Sequence, residues 1–123
     1  MKYLLIAAAV LAGVFFFNRS GSSAEISYEE LQRLLQNGSP VTLLDVRTRQ
    51  EYDGGHIPGA LLLPYDEVEQ QAAALLPDKS REIVVYCRSG RRSAIAAETL
   101  GRLGYEKVSD FGAVSRWKGE LEK

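Results

Sequence analysis

The stretch from Glu82 to Leu103 constrains this chain more than any other. Glu82 to Tyr86 (EIVVY) is short, apolar and β-branched, the strongest strand signal in the chain. It runs straight into Cys87-Arg88-Ser89-Gly90-Arg91-Arg92-Ser93. Arg92 to Leu103 (RSAIAAETLGRL) then reads as an amphipathic helix ended by Gly104. A strand followed at once by a helix, in a chain where the two alternate, predicts an α/β domain with a mostly parallel central sheet and helices on both faces.

The rest of the chain repeats this alternation. Ser27 and Glu30 form a capping-box pattern, Leu31, Leu34 and Leu35 follow at helical spacing, and Asn37-Gly38 ends the helix. Val41 to Val46 (VTLLDV) predicts a strand buried on both faces. Gln50 to Asp53 predicts one helical turn stopped by Gly54-Gly55. Ile57-Pro58-Gly59 predicts a turn, and Ala60 to Leu63 an extended run. Tyr65 to Leu76 predicts a helix capped by Asp66, with Pro77 beyond its end. Lys107 to Asp110 predicts a last short strand, and Gly112 to Glu120 a final helix.

The N-terminus stands apart. Lys2 precedes an uncharged apolar run of 14 residues, Leu4 to Phe17, and Ser22-Ser23-Ala24 supplies small residues for a cleavage site. A permanent span needs about 20 apolar residues. Residues 1–24 therefore read as a cleaved secretory signal, with an uncleaved inner-membrane anchor as the alternative. The expected location is exported and periplasmic, with membrane contact only through residues 1–24 if they are retained. Residues 25–123 form one domain.

Composition then narrows the chemistry. The chain has 123 residues, one cysteine, one histidine and a formal net charge of −1. A single cysteine excludes an internal disulfide and a Cys-rich metal site, and a single histidine excludes multi-histidine centres. The near-neutral charge gives no case for a nucleic-acid partner. Chemistry has to come from few groups, and Cys87 lies where a parallel sheet places its active site, beyond a strand's carboxyl end. Unpaired N–H groups and the helix dipole at a helix start favour an anion. Gly90 frees the loop backbone. Arg88, Arg91 and Arg92 add positive charge that favours a reactive thiolate and attracts anionic substrates. The bland reading, an inert buried thiol, fits this setting less well.

Three segments carry a resemblance to a known family. They are Leu43-Leu44-Asp45-Val46-Arg47, then Glu51-Tyr52-Asp53-Gly54-Gly55-His56-Ile57-Pro58-Gly59-Ala60, then Val84-Val85-Tyr86-Cys87-Arg88-Ser89-Gly90-Arg91-Arg92-Ser93. In order and spacing, over residues 25–120, the chain resembles the single-domain rhodaneses, which are thiosulfate sulfurtransferases. The resemblance implies a rhodanese-like fold with Cys87 as catalytic nucleophile. It implies that Arg88, Ser89, Gly90, Arg91 and Arg92 bind the substrate, with backbone N–H groups cradling sulfur and the arginines holding an anionic donor. It implies thiosulfate as sulfur donor, cyanide or a thiol as acceptor, a persulfide on Cys87, and no cofactor or metal. By the same resemblance Asp45, Arg47, Glu51 and His56 brace the fold near the site. Arg47 is expected to pair with Asp45 or Glu51, His56 to be a hydrogen-bonded core residue, and Trp117 to pack. The chain departs from the family at Gly112-Ala113, where a Gly-Gly pair is frequent.

Two other readings compete. Cysteine phosphatases use a Cys-x5-Arg loop, whereas Cys87 to Arg92 is Cys-x4-Arg, which suits a smaller target than a phosphate monoester. A sulfur-carrying or partner-binding module would use the same loop without turnover of its own.

Overall fold

The computed structural model describes residues 24–123, and the expected targeting segment, apart from Ala24, lies outside them. Within them the chain forms β1 (Ala24–Glu25), α1 (Tyr28–Gln36), β2 (Val41–Asp45), α2 (Arg49–Asp53), β3 (Leu61–Leu62), a 3-10 turn (Tyr65–Glu67), α3 (Val68–Leu75), β4 (Glu82–Cys87), α4 (Arg91–Arg102), β5 (Lys107–Ala113) and a second 3-10 turn (Val114–Arg116). The five strands lie in the order β1-β5-β4-β2-β3, and every pairing is parallel. The expected α/β architecture is the observed one.

Strand periodicity builds the two cores. On β4, Ile83, Val85 and Cys87 face one side, while Val84 and Tyr86 face the other. The first set packs with Leu44, Val68, Ala72, Ala96, Ala97 and Leu100, beneath α3 and α4. The second packs with Ile26, Leu31, Leu43, Ile57 and Phe111, beneath α1. All five of these β4 residues are buried, so a change to any of them is felt on one core face.

Capping fixes the short helices. Ser27 Oγ accepts the Glu30 N–H at 3.1 Å, and Glu30 accepts the Ser27 N–H at 2.9 Å, as the sequence predicts. Thr48 and Glu51 form a second capping box, which starts α2 at Arg49 rather than Gln50. Each such cap contributes about 1 kcal/mol.

Two expectations need correction. Residues 65–76 do not form one helix capped by Asp66: a 3-10 turn precedes α3, and neither makes a side-chain cap. Pro64 holds the chain extended just before the turn, and Glu67, at φ −109° and ψ −1°, departs from α-helical geometry between the turn and α3. The final helix over 112–120 is absent. β5 runs on to Ala113, helped by a bulge that gives Phe111 to the α1-side core, and only Val114–Arg116 coil. Gly112, at φ 88°, turns the chain where a helix would have begun. Ala113 sits in extended backbone at φ −82°, so the departure from Gly-Gly costs nothing there. β1 is also additional. Two residues long, it is recognisable only once β5 offers it an edge.

Candidate active site

β4 ends on Cys87 in the middle of the sheet, with β2 on one side and β5 on the other. The thiol is fully buried beneath its loop. The Gly90 N–H donates to Cys87 Sγ at 3.0 Å. Gly90 has φ 106°, a left-handed conformation that a side chain would strain, and this folds the loop back over the sulfur. Gly90 is also the N-cap of α4. It brings no capping side chain, and no described residue accepts the N–H groups of Arg91, Arg92 or Ser93. These donors therefore open toward the space above Cys87 with the positive end of α4 behind them. An N–H aimed at sulfur is suited to holding negative charge there.

The three arginines take different positions. Arg88 and Arg91 are exposed and make no ion pair among the described residues, and the Arg91 guanidinium stands 6.0 Å from the centre of the Tyr65 ring. Arg92 is paired. Its Nη1 and Nη2 donate to Glu51 Oε1 and Oε2 at 2.9 and 3.0 Å, a bidentate pair tying α2 to α4. Arg92 thus contributes a backbone N–H and the loop's shape, while its guanidinium is committed to Glu51. Ser89 is exposed at the crest of the loop.

Glu51 is held well below the usual carboxylate range, at about 2, chiefly by Arg92, with burial opposing and Thr48 assisting. Its folded value lies below its ordinary 4.5, so the stabilisation is fully present above that value and is lost as pH falls toward 2. Glu51→Gln is expected to lower stability by about 2 kcal/mol at neutral pH. Urea titrations of variant and parent should converge in acid. A gap that persists at low pH would contradict the assignment.

Behind the loop, on the face away from Cys87, lies a buried charged network. Arg47 donates to Asp45 through Nε at 3.0 Å and Nη2 at 2.7 Å, and to the Gly55 carbonyl at 2.7 Å. Tyr86 Oη donates to Asp45 Oδ2 at 2.8 Å and accepts the Ile57 N–H at 3.0 Å. Burial and the Asp45 carboxylate push the Tyr86 phenol up. The partner of Arg47 is thus Asp45. His56 is buried, stacks on Tyr52 with ring centres 3.7 Å apart, and donates from Nδ1 to the Tyr52 carbonyl at 2.9 Å. It is the hydrogen-bonded core residue expected, and none of its bonds reaches residues 87–92. Trp117 packs edge-on against Tyr28.

Other features do not compete for the chemistry. A cleft of about 280 Å³, lined by Thr42, Leu61, Leu75, Pro77, Asp78 and Ile83 among others, lies at the amino ends of β2 and β4, away from Cys87, and holds neither cysteine nor histidine. Among the described residues no cluster of His, Cys, Asp or Glu could hold a metal ion.

The rhodanese-like domain model matches residues 27–120, the span that carries β2, the Cys87 loop and α4. The chain belongs to the rhodanese-like family. It is 38% identical over 71 residues to thiosulfate sulfurtransferase PspE of Escherichia coli, covering 58% of this chain and 68% of that one. It is 38% identical over 104 residues to Bacillus subtilis YrkF, named for a sulfur-carrier role, covering 84% of this chain and 55% of that one. The chain thus spans about half the length of YrkF. The human single-domain sulfurtransferase TSTD1 superposes with a TM-score of 0.68 at 34% identity, over 77% of this chain and 95% of that structure.

Proposed function

We propose that this rhodanese domain is a sulfurtransferase that carries sulfane sulfur as a persulfide on Cys87, with thiosulfate or a similar small anion as donor. The observation that carries the reading is the Cys87 sulfur under the Gly90 N–H, beside a helix start whose first N–H groups have no acceptor among the described residues. In the first step the thiolate attacks the outer sulfur of thiosulfate. A new S–S bond forms, the old one breaks, and its electron pair leaves with sulfite. In the second step a thiophilic acceptor, cyanide or a thiolate, takes the outer sulfur, and the electron pair returns to Cys87. Charge balances in both steps, and no external oxidant or reductant enters. The backbone donors hold the negative charge on the persulfide, and exposed Arg88 and Arg91 draw the anionic donor in.

The likeness to YrkF favours a second reading, in which the same persulfide is delivered to a protein. The two share the first step and differ in the acceptor. The short Cys-x4-Arg loop argues against a phosphatase.

The test is to incubate the protein with thiosulfate and weigh it, then assay thiocyanate release with cyanide beside phosphate release from an aryl phosphate. One added sulfur atom, released by cyanide, is expected. Phosphate release without sulfur loading would overturn the reading. Arg88→Ala with Arg91→Ala is expected to raise KM for thiosulfate about tenfold, with kcat changed less, because these charges attract the donor without touching sulfur. An unchanged KM would remove both from the donor's path.

A further inference from the structure

Tyr65 has no part in the two chemical steps, yet the fold sets it beside the Cys87 loop. Beyond β3 the chain keeps following the end of β2. The Leu63 N–H donates to the Asp45 carbonyl at 2.9 Å, and the Tyr65 N–H to the Val46 carbonyl at 3.0 Å. Asp45 is in register with Tyr86, so Val46 is level with Cys87. These bonds therefore carry the 3-10 turn to the carboxyl end of the sheet, the end on which the thiol lies. Tyr65 is half-buried there and packs against the core cluster that holds Val46, Cys87 and Ala96.

The turn faces the start of α4. Arg91 is the first residue of that helix, is exposed, and places its guanidinium over the Tyr65 ring, 6.0 Å from the centre. Glu67, in the same turn as Tyr65, instead accepts the Gln71 side-chain amide at 2.9 Å. The neighbouring arginine supplies the contrast. Arg92 is held by a carboxylate, which fixes the side chain and cancels its charge. A ring face attracts a guanidinium through its quadrupole and leaves the full positive charge in place. It also narrows the rotamers of a long exposed side chain, so less ordering remains to be done when an anion binds.

We propose that Tyr65 is a positioning residue for anion recognition: its ring holds the Arg91 guanidinium at the mouth of the Cys87 loop, with its charge available to the anionic end of a small sulfur donor. The identity of the donor rests on the sulfur-transfer reading; the contact between ring and guanidinium does not.

The experiment compares Tyr65→Leu and Tyr65→Phe, each with Arg91 intact and with Arg91→Ala. Leucine keeps an apolar side chain against the core and removes the ring; phenylalanine keeps the ring. With Arg91 intact, Tyr65→Leu is expected to raise KM for thiosulfate about threefold with kcat little changed, the size of an exposed cation–π contact. Tyr65→Phe should restore the parent KM. In the Arg91→Ala background the leucine and phenylalanine variants should share one KM. Inorganic sulfate, which carries no sulfane sulfur, gives a readout free of the reaction. Followed through the Arg91 side-chain resonance by NMR, its binding should weaken about threefold in Tyr65→Leu and recover in Tyr65→Phe. A KM change of equal size in both backgrounds would make Tyr65 merely structural, and a phenylalanine variant as poor as the leucine one would assign the effect to the hydroxyl; either overturns the proposal, as does sulfate binding indifferent to the ring. If sulfate binding follows the ring while no sulfur is transferred, the positioning role stands and the sulfur-transfer reading falls.

Discussion

Cys87→Ser is expected to abolish sulfur transfer while leaving the fold in place. Sγ is the only thiol in the chain and lies 3.0 Å from the Gly90 N–H, so nothing else can carry a persulfide. A serine hydroxyl at that point can still accept the same N–H, and it is smaller than the thiol. The cost is that of a buried hydroxyl in a site packed by Leu44, Val46 and Val85, about 1–2 kcal/mol. A hydroxyl is not ionised at neutral pH, and no base bonds to this position. Turnover should therefore fall by about 10³-fold or more, and thiosulfate should add no sulfur to the mass. Residual turnover within tenfold of the parent, in a variant of unchanged melting temperature, would remove Cys87 from the mechanism.

Arg47→Ala is expected to cost about 3–5 kcal/mol, the largest loss of stability from any single change considered. Asp45 is fully buried and Arg47 nearly so, and Arg47 supplies both guanidinium contacts to it and the bond to the Gly55 carbonyl. Removing the guanidinium leaves a buried carboxylate with the Tyr86 hydroxyl and the residue 47 N–H as its donors. The double variant Arg47→Met with Asp45→Asn removes both charges and should recover part of the loss, because an uncompensated charge costs more than a neutral pair. Urea titration of the three proteins tests this. A loss below about 1 kcal/mol for Arg47→Ala would mean that water reaches Asp45.

Much of the site was legible before any coordinates. Cys87, the glycine that bends the loop and the helix start behind it are consecutive residues, and local rules of strand, turn and helix operate over that range. The Ser27 cap and the strand Glu82–Tyr86 were readable for the same reason. The role of Arg92 was read less well. A charge in a loop announces itself, but its partner Glu51 is 41 residues away and meets it only when α2 docks on α4. The Thr48 cap carried a readable signal, Thr-x-x-Glu, and could have been found.

Sequence alone determined the fold class, the candidate nucleophile and the loop that covers it, because each depends on residues adjacent in the chain. Tertiary structure decided which charges remain free for a ligand. Arg88 and Arg91 stay exposed, while Arg47 and Arg92 are committed to Asp45 and Glu51. An ion pair forms where two elements meet, and the stacking of helices on the sheet, not the order of residues, sets which carboxylate each guanidinium meets.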